Sequence, residues 1–289
     1  MPFATRESGL NLNSIIKLKI IDCFLFFNEV DLLKLRLKEL NDVVDHFVLV
    51  ESKFTFTNNR KTLFFEQNKE IFREYLPKIT HLVFDKNTPN RFWRSDRKTC
   101  WLREERQRNY LGQGIKSLKP NDDDLVIISD VDEIPDPNTV QTLKDNILEG
   151  IVNLNQDMYY YNYSCKHPLQ CDAAIVANFE SLKPHISSLH RLRIKRSHLD
   201  DRKSIENGGW HFSFFGSNEQ ISYKIKSFSH SEFNTSNITN HQHIDKSVES
   251  RKDLFNRYGD TKFEFIDPKN NKYLPRNIHL LDDLLFPKV

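Results

Sequence analysis

Glycine is scarce in this chain, with eight in 289 residues. Gly112 and Gly114 lack the third partner of a G-x-G-x-x-G fingerprint, and no glycine precedes a lysine. A glycine-cradled dinucleotide site and a P-loop are thereby excluded, so any nucleotide must be held without a glycine cradle. Cysteine is equally sparse: four, none spaced as C-x-x-C, which supports neither a disulfide framework nor a zinc signature. Cys165 and Cys171 either pair across a loop or remain reduced thiols, the second being the expectation. Long apolar runs are missing too. The longest, Cys23 to Phe27, falls far short of the roughly 20 residues that cross a bilayer. Met1 to Asn13 carries Arg6 and Glu7 but no apolar signal core. An excess of one charge is also lacking. With 42 Lys and Arg against 40 Asp and Glu, the net charge of +2 gives no strong pull towards nucleic acid or anionic lipid. The expectation is a soluble, cytoplasmic chain, in which sequons at Asn162, Asn234 and Asn237 stay unused.

What is present is ample core material, 38% hydrophobic residues including 22 Phe, in an order that alternates. After a loose tail over 1–14, Ile15 to Phe27 reads as a strand. Glu29 to Leu40 reads as a helix, with Val30, Leu33, Leu37 and Leu40 on one face. Phe47 to Val50 reads as a buried strand. This β-α-β order predicts a parallel sheet with covering helices. Helices are predicted over Glu66 to Tyr75 and Thr99 to Gly112, and strands over Ile79 to Phe84 and Leu125 to Ile128. Pro137 to Leu148 reads as a helix capped by Asp136. Beyond Asn155 the texture turns aromatic, with strands predicted at Met158 to Tyr163, Ala173 to Val176 and Tyr223 to Phe228, and a helix over Thr239 to Tyr258. The fold class expected is α/β, one domain over 15–289, with residues 15–150 as a donor-binding half and 151–289 as an antiparallel, acceptor-side half.

The most informative stretch is SDVDEIP, Ser129 to Pro135, directly after a buried strand. Ligands of open α/β sheets sit beyond the carboxyl ends of strands. Two carboxylates spaced as Asp130 and Asp132 can share a hard divalent ion such as Mg²⁺ or Mn²⁺. Such an ion neutralises a departing diphosphate. The same pattern also serves as an acidic turn capping the next helix.

At these residues the chain resembles glycosyltransferase family 17. The matching stretches are DCFLFFNE at Asp22 to Glu29, FVLVES at Phe47 to Ser52 with FTFT at Phe54 to Thr57, and QRN at Gln107 to Asn109. SDVDEIP follows, then GGWHFS at Gly208 to Ser213 with Phe215 and Gly216, and KSFSH at Lys226 to His230. The resemblance implies a GT-A-like, Rossmann-type nucleotide-sugar fold, a UDP-sugar donor (UDP-GlcNAc by default), a Mn²⁺-type metal and inversion at the sugar carbon. It further implies Asp132 as the direct metal ligand and Asp130 towards the ribose or a metal-bound water. His230 is preferred to His211 as the histidine that joins them. Glu51 is expected at the uracil or ribose. Arg103 and Arg108 are expected at the diphosphate, which a guanidinium pairs bidentately, the other reading being a solvated helix face.

An inverting transfer needs a base for the acceptor hydroxyl. Glu232 is the first candidate, with His211, Asp172 and Glu206 left open. Trp210, beside Gly208 and Gly209, is expected to stack on an acceptor sugar or else to sit in the core. Two other functions fit parts of the pattern. A phosphatase of the haloacid dehalogenase type would use Asp130 as nucleophile, but its motif opens the domain, whereas here it comes only at residue 130. A non-catalytic glycan-binding module has no need of clustered carboxylates. Low Gly with abundant Lys, Asn, Ile and Phe suggests a viral or microbial source.

Overall fold

The computed structural model describes residues 18–88, 96–194 and 202–284; the expected tail over 1–14 lies outside them. The first strand, β1 (Ile20–Phe26), is buried along its whole length because both faces of the sheet are covered. Helix α1 (Val30–Leu40) returns the chain to β2 (His46–Ser52). A short helix α2 (Phe64–Gln67) leads to β3 (Ile79–Phe84), and the long α3 (Asp96–Ser117) leads to β4 (Leu125–Asp130). These four strands are mutually parallel in the order β4-β1-β2-β3.

The second half adds β5 (Glu133–Pro135), α4 (Pro137–Asp145), β6 (Ile151–Tyr160), β7 (Cys165–Lys166) and β8 (Ile175–Asn178). Then come α5 (Phe179–Leu182), α6 (Leu189–Ile194), β9 (Ser204–Ser213), α7 (Asn218–Ser227), α8 (Ser236–Thr239), α9 (His241–Ser250) and β10 (Glu264–Phe265). Strand β8 runs antiparallel between β4 and β6, and β7 and β10 extend the edge antiparallel. The α/β class and the change to antiparallel pairing therefore match expectation, except that β9 runs parallel to β6. The sheet is covered on both faces. Leu33, Leu37, Phe65 and Val140 pack on one side, and Leu111, Ile115, Leu182 and Leu189 on the other.

Several elements differ from the sequence expectation. Glu66 to Tyr75 is not one helix but α2 followed by single 3₁₀ turns at Lys69–Phe72 and Leu76–Lys78; the burial of Phe65, Phe72 and Tyr75 mimicked a helical stripe. Tyr223 to Phe228 is not a strand but lies mostly in α7. That helix is started by a capping box between Ser217 and Gln220, and Ile221 and Ile225 bury one turn apart. The helix expected over Thr239 to Tyr258 stops at Arg251, which adopts a left-handed φ of 53°. Asp136 does cap α4, accepting from the Asn138 amide at 2.7 Å. Cys23, Cys100, Cys165 and Cys171 are all free thiols. No helix among the described residues is long and apolar enough to cross a membrane.

Asp22 interrupts the apolar face of β1 and is fully buried. Arg36 on α1, also fully buried, donates to both its oxygens, Nε to Oδ2 at 2.8 Å and Nη2 to Oδ1 at 2.6 Å. The guanidinium lies 4.4 Å from the Phe24 ring centroid. Its remaining donors reach Ser129 Oγ at 2.6 Å and the carbonyls of Asp130 and Glu133 at 2.9 and 2.7 Å. One buried ion pair therefore fixes the backbone of the acidic turn to β1. Removing one partner of such a pair strands the other charge in the core, at a cost of about 3–5 kcal/mol. Arg36→Met is expected to lose stability of that order in chemical denaturation, and adding Asp22→Leu to restore part of it. A single variant as stable as the parent would show that the pair does not hold the turn.

Candidate functional site

A cleft of about 660 Å³ opens at the carboxyl ends of β1 and β4. Asp130 ends β4, Asp132 follows in the turn, and Glu133 begins β5. Helix α3 contributes Trp101, Glu104, Gln107 and Arg108, a spacing that brings all four to one helical face. Phe54, Thr55 and Phe56 after β2, Arg193 of α6, His211 and Ser213 of β9, Lys224 of α7, and Phe228 to His230 complete the walls.

The two aspartates are held differently. Asp130 sits between two guanidinium groups, with Arg108 Nη2 at 2.8 Å from Oδ1 and Arg193 Nη1 at 2.7 Å from Oδ2. Burial alone would raise its pKa, but Arg108 and Arg193 outweigh that and hold the carboxyl well below the usual range. Arg193 also pairs with Glu133, whose other oxygen accepts from the Asp130 amide at 3.0 Å. Arg108 in turn reaches Glu104 at 2.7 Å and His190 at 2.7 Å. Burial pushes the Glu133 carboxyl up despite Arg193. Asp132 is the more buried of the two, its side chain 12% exposed against 33% for Asp130, but it has fewer partners. Its Oδ2 accepts from Lys224 Nζ at 2.9 Å and lies 3.8 Å from His211 Nε2, and its Oδ1 makes no hydrogen bond among the described residues. Here too the burial effect is overcome, by Lys224 and His211, so the Asp132 pKa is lowered. Lys224 also pairs with Glu29 at 2.9 Å.

Of the residues singled out in the sequence, Asp130, Asp132, Arg108, His211 and His230 line the cleft. His230 stands beside Trp101 of α3, edge-on with ring centroids 4.7 Å apart, with Nδ1 3.0 Å from Glu232. Four others are placed away from the cleft. Glu51 is fully buried; it accepts from Lys61 at 3.1 Å and from the Phe64 and Phe65 amides at the start of α2. Arg103 ties the carbonyls of Thr88 and Phe56 together at 2.7–2.9 Å. Trp210 is 3% exposed, packs on Tyr273, and donates from Nε1 to the Tyr273 carbonyl at 3.1 Å. Glu232 faces His230 and Arg97 beyond the cleft wall. Gly209 serves packing: at φ +130° its Cα approaches β5 so closely that a Cβ would fall 2.1 Å from the Ile134 carbonyl oxygen. Asp172 and Glu206 do not line the cleft either.

Sequence reasoning missed Arg36, Arg193, Lys224 and Trp101. Trp101 was recoverable from its helical spacing to Arg108. Lys224 was obscured by reading its segment as a strand, and Arg193 lies in no motif. Among the described residues one further group could ligate a metal: Glu133, Cys171 and His211, whose ligand atoms lie within 4.8 Å of one another. Glu133 is already committed to Arg193 and to the Asp130 amide.

Fold and cleft together define an α/β protein with a charged site at the carboxyl edge of its parallel strands. The chain belongs to glycosyltransferase family 17, whose model matches residues 8–267. Curated relatives include the β-1,4-mannosyl-glycoprotein 4-β-N-acetylglucosaminyltransferases of Rattus norvegicus and Homo sapiens. Each is 26% identical over an aligned length of 243, and the match covers 74% of this chain and 44% of theirs, so the chain spans less than half the length of these relatives. Among solved structures, the inositol-1-phosphate CTP transferase from T. maritima aligns over 68% of this chain and 90% of its own. It does so at 12% identity with a TM-score of 0.37.

His211 carries a pH-dependent prediction. Burial lowers its pKa, but the Cys171 sulfur and the Asp132 carboxylate outweigh that and raise it from 6.5 to about 9. A folded-state pKa above the unfolded one means stability that is complete below about pH 6.5 and is lost as pH rises through 9. Denaturation midpoints are expected to fall across that window, and His211→Gln to flatten the slope. A slope unchanged by the substitution would assign the effect to another group.

Proposed function

We propose that this chain is a metal-dependent, inverting glycosyltransferase that moves N-acetylglucosamine from UDP-GlcNAc to a glycan hydroxyl. The observation that carries the reading is Asp132: a carboxylate at the carboxyl edge of the sheet, facing a cleft, with one oxygen that has no hydrogen-bond partner among the described residues. An oxygen donor of this kind suits a hard divalent ion, so the residues present fit a Mn²⁺- or Mg²⁺-type metal with Asp132 as the direct ligand. Asp130 has both oxygens engaged and acts instead as the anchor of Arg108 and Arg193.

Charge balance supports the same reading. The cleft is lined by five carboxylates (Glu29, Glu104, Asp130, Asp132, Glu133) and five basic side chains (Lys61, Arg108, Arg193, Lys224, Arg257). Protonated His211 adds one positive charge, so a doubly negative diphosphate would still enter a site short of compensating charge. A divalent ion held by Asp132 would supply that charge and stabilise a departing diphosphate. Around it, Arg108 and Arg193 keep Asp130 ionised and hold the turn in place. Of the base candidates, His211 is the one on the cleft, and as base it would take the acceptor hydroxyl proton. A positioned base contributes roughly 10²–10⁴-fold. The imidazolium dominates below about pH 9 in the ligand-free cleft, so the base-competent form grows as pH rises towards that value.

The phosphatase reading is disfavoured by family membership, and by Asp130 itself, whose two oxygens are held by arginines rather than free to attack phosphorus. The test is thermal stabilisation by UDP-GlcNAc with and without Mn²⁺, followed by transfer to glycan acceptors. Ligand bound to the folded state at 100 times its Kd stabilises by about 2.7 kcal/mol. Wild type is expected to show a Mn²⁺-dependent shift, and Asp132→Ala to lose it while melting as a folded protein without ligand. Response to glycans alone, with none to nucleotide or metal, would make the chain a binding module instead.

A further inference from the structure

Lys224 has a role to fill that the site described so far leaves open. Its ammonium is shared between Asp132 Oδ2 and Glu29 Oε1, each at 2.9 Å. An ammonium has three N–H donors, and these contacts use two. The side chain lines the cleft and retains 22% exposure, so the third donor sits at the edge of the space a ligand would enter. It comes from α7, an element separate from the acidic turn, and the Phe214 ring lies 5.9 Å from the charge. Asp132 therefore carries a resident cation at the carboxylate that the proposed function gives to a metal. Two cations on one carboxylate repel, and Glu29 offers Lys224 a second anion to fall back on.

Resting on that functional reading, we propose that Lys224 is a donor-binding residue that changes partners: it neutralises Asp132 in the empty cleft and pairs with the donor's phosphate oxygens once a divalent ion occupies Asp132. Through the exchange Asp132 stays paired, with Lys224 before loading and with the ion after it. No covalent step is involved.

The two halves of this role predict effects of opposite sign for Lys224→Met, which removes the charge and keeps an apolar stem. Mn²⁺ alone, titrated by the loss of its free-ion magnetic resonance signal, should bind roughly five- to tenfold more tightly, because a competing like charge is gone. UDP titrated calorimetrically in saturating Mn²⁺ should bind roughly tenfold more weakly, through loss of a charge-assisted hydrogen bond. Lys224→Arg, which restores the charge, should return both affinities towards wild type. A merely structural lysine would weaken both or neither, and either result would overturn the exchange. If wild type itself bound neither Mn²⁺ nor UDP, the functional reading would fall along with it.

Discussion

The buried pair of Asp22 and Arg36 is the constraint on which the site depends. An aspartate in the middle of a parallel strand is costly unless its charge is met and its lone pairs are used. Arg36 does both from the adjoining helix, and its remaining donors go to carbonyls of the turn after β4. The acidic turn is therefore held from beneath by the core rather than by its own loop. Strand β1 pairs with both β2 and β4, so the same contact sets the turn against the mouth formed by Phe26, Phe27 and the segment after β2.

Above that base, the cleft is built from paired charges of unequal commitment. Asp130 has both oxygens engaged by buried arginines, although it opens the D-x-D pattern and keeps a third of its side chain exposed. Asp132 has an oxygen unpaired among the described residues and shares its lysine with Glu29. Two residues apart in sequence, one carboxylate is fixed and the other is exchangeable. The difference comes from what surrounds them: α3 and α6 deliver rigid guanidinium forks, whereas α7 delivers a single ammonium on a flexible stem.

Much of the parallel half was legible in the sequence because its signals are local. Apolar runs bounded by polar turns marked β2, β3 and β4, and Asp136 with Pro137 marked the start of α4. The acidic turn was legible for the same reason, as a polar break directly after a buried strand. The aromatic half was harder. Strand β9, which contains Gly208 and Gly209, is absent from the predicted elements, yet those glycines are what allow it to lie against β5 and β6. Helix α7 reads as a strand unless Ser217 and Gln220 are noticed as a capping box. Trp210 and Glu51 had plausible residue types at plausible places, but whether such a side chain meets solvent depends on tertiary partners, Tyr273 for one and Lys61 with α2 for the other. Arg193 and Lys224 reach the site only through tertiary folding, which no spacing rule conveys.

The central claim is that Asp132 holds the ion that meets the nucleotide diphosphate. Anomalous diffraction at the manganese edge, from crystals grown with Mn²⁺ and UDP, addresses it directly. The account predicts one strong peak within coordination distance of Asp132, with the diphosphate beside it. A peak among Glu133, Cys171 and His211 instead, or a nucleotide bound with no ion at Asp132, would contradict it.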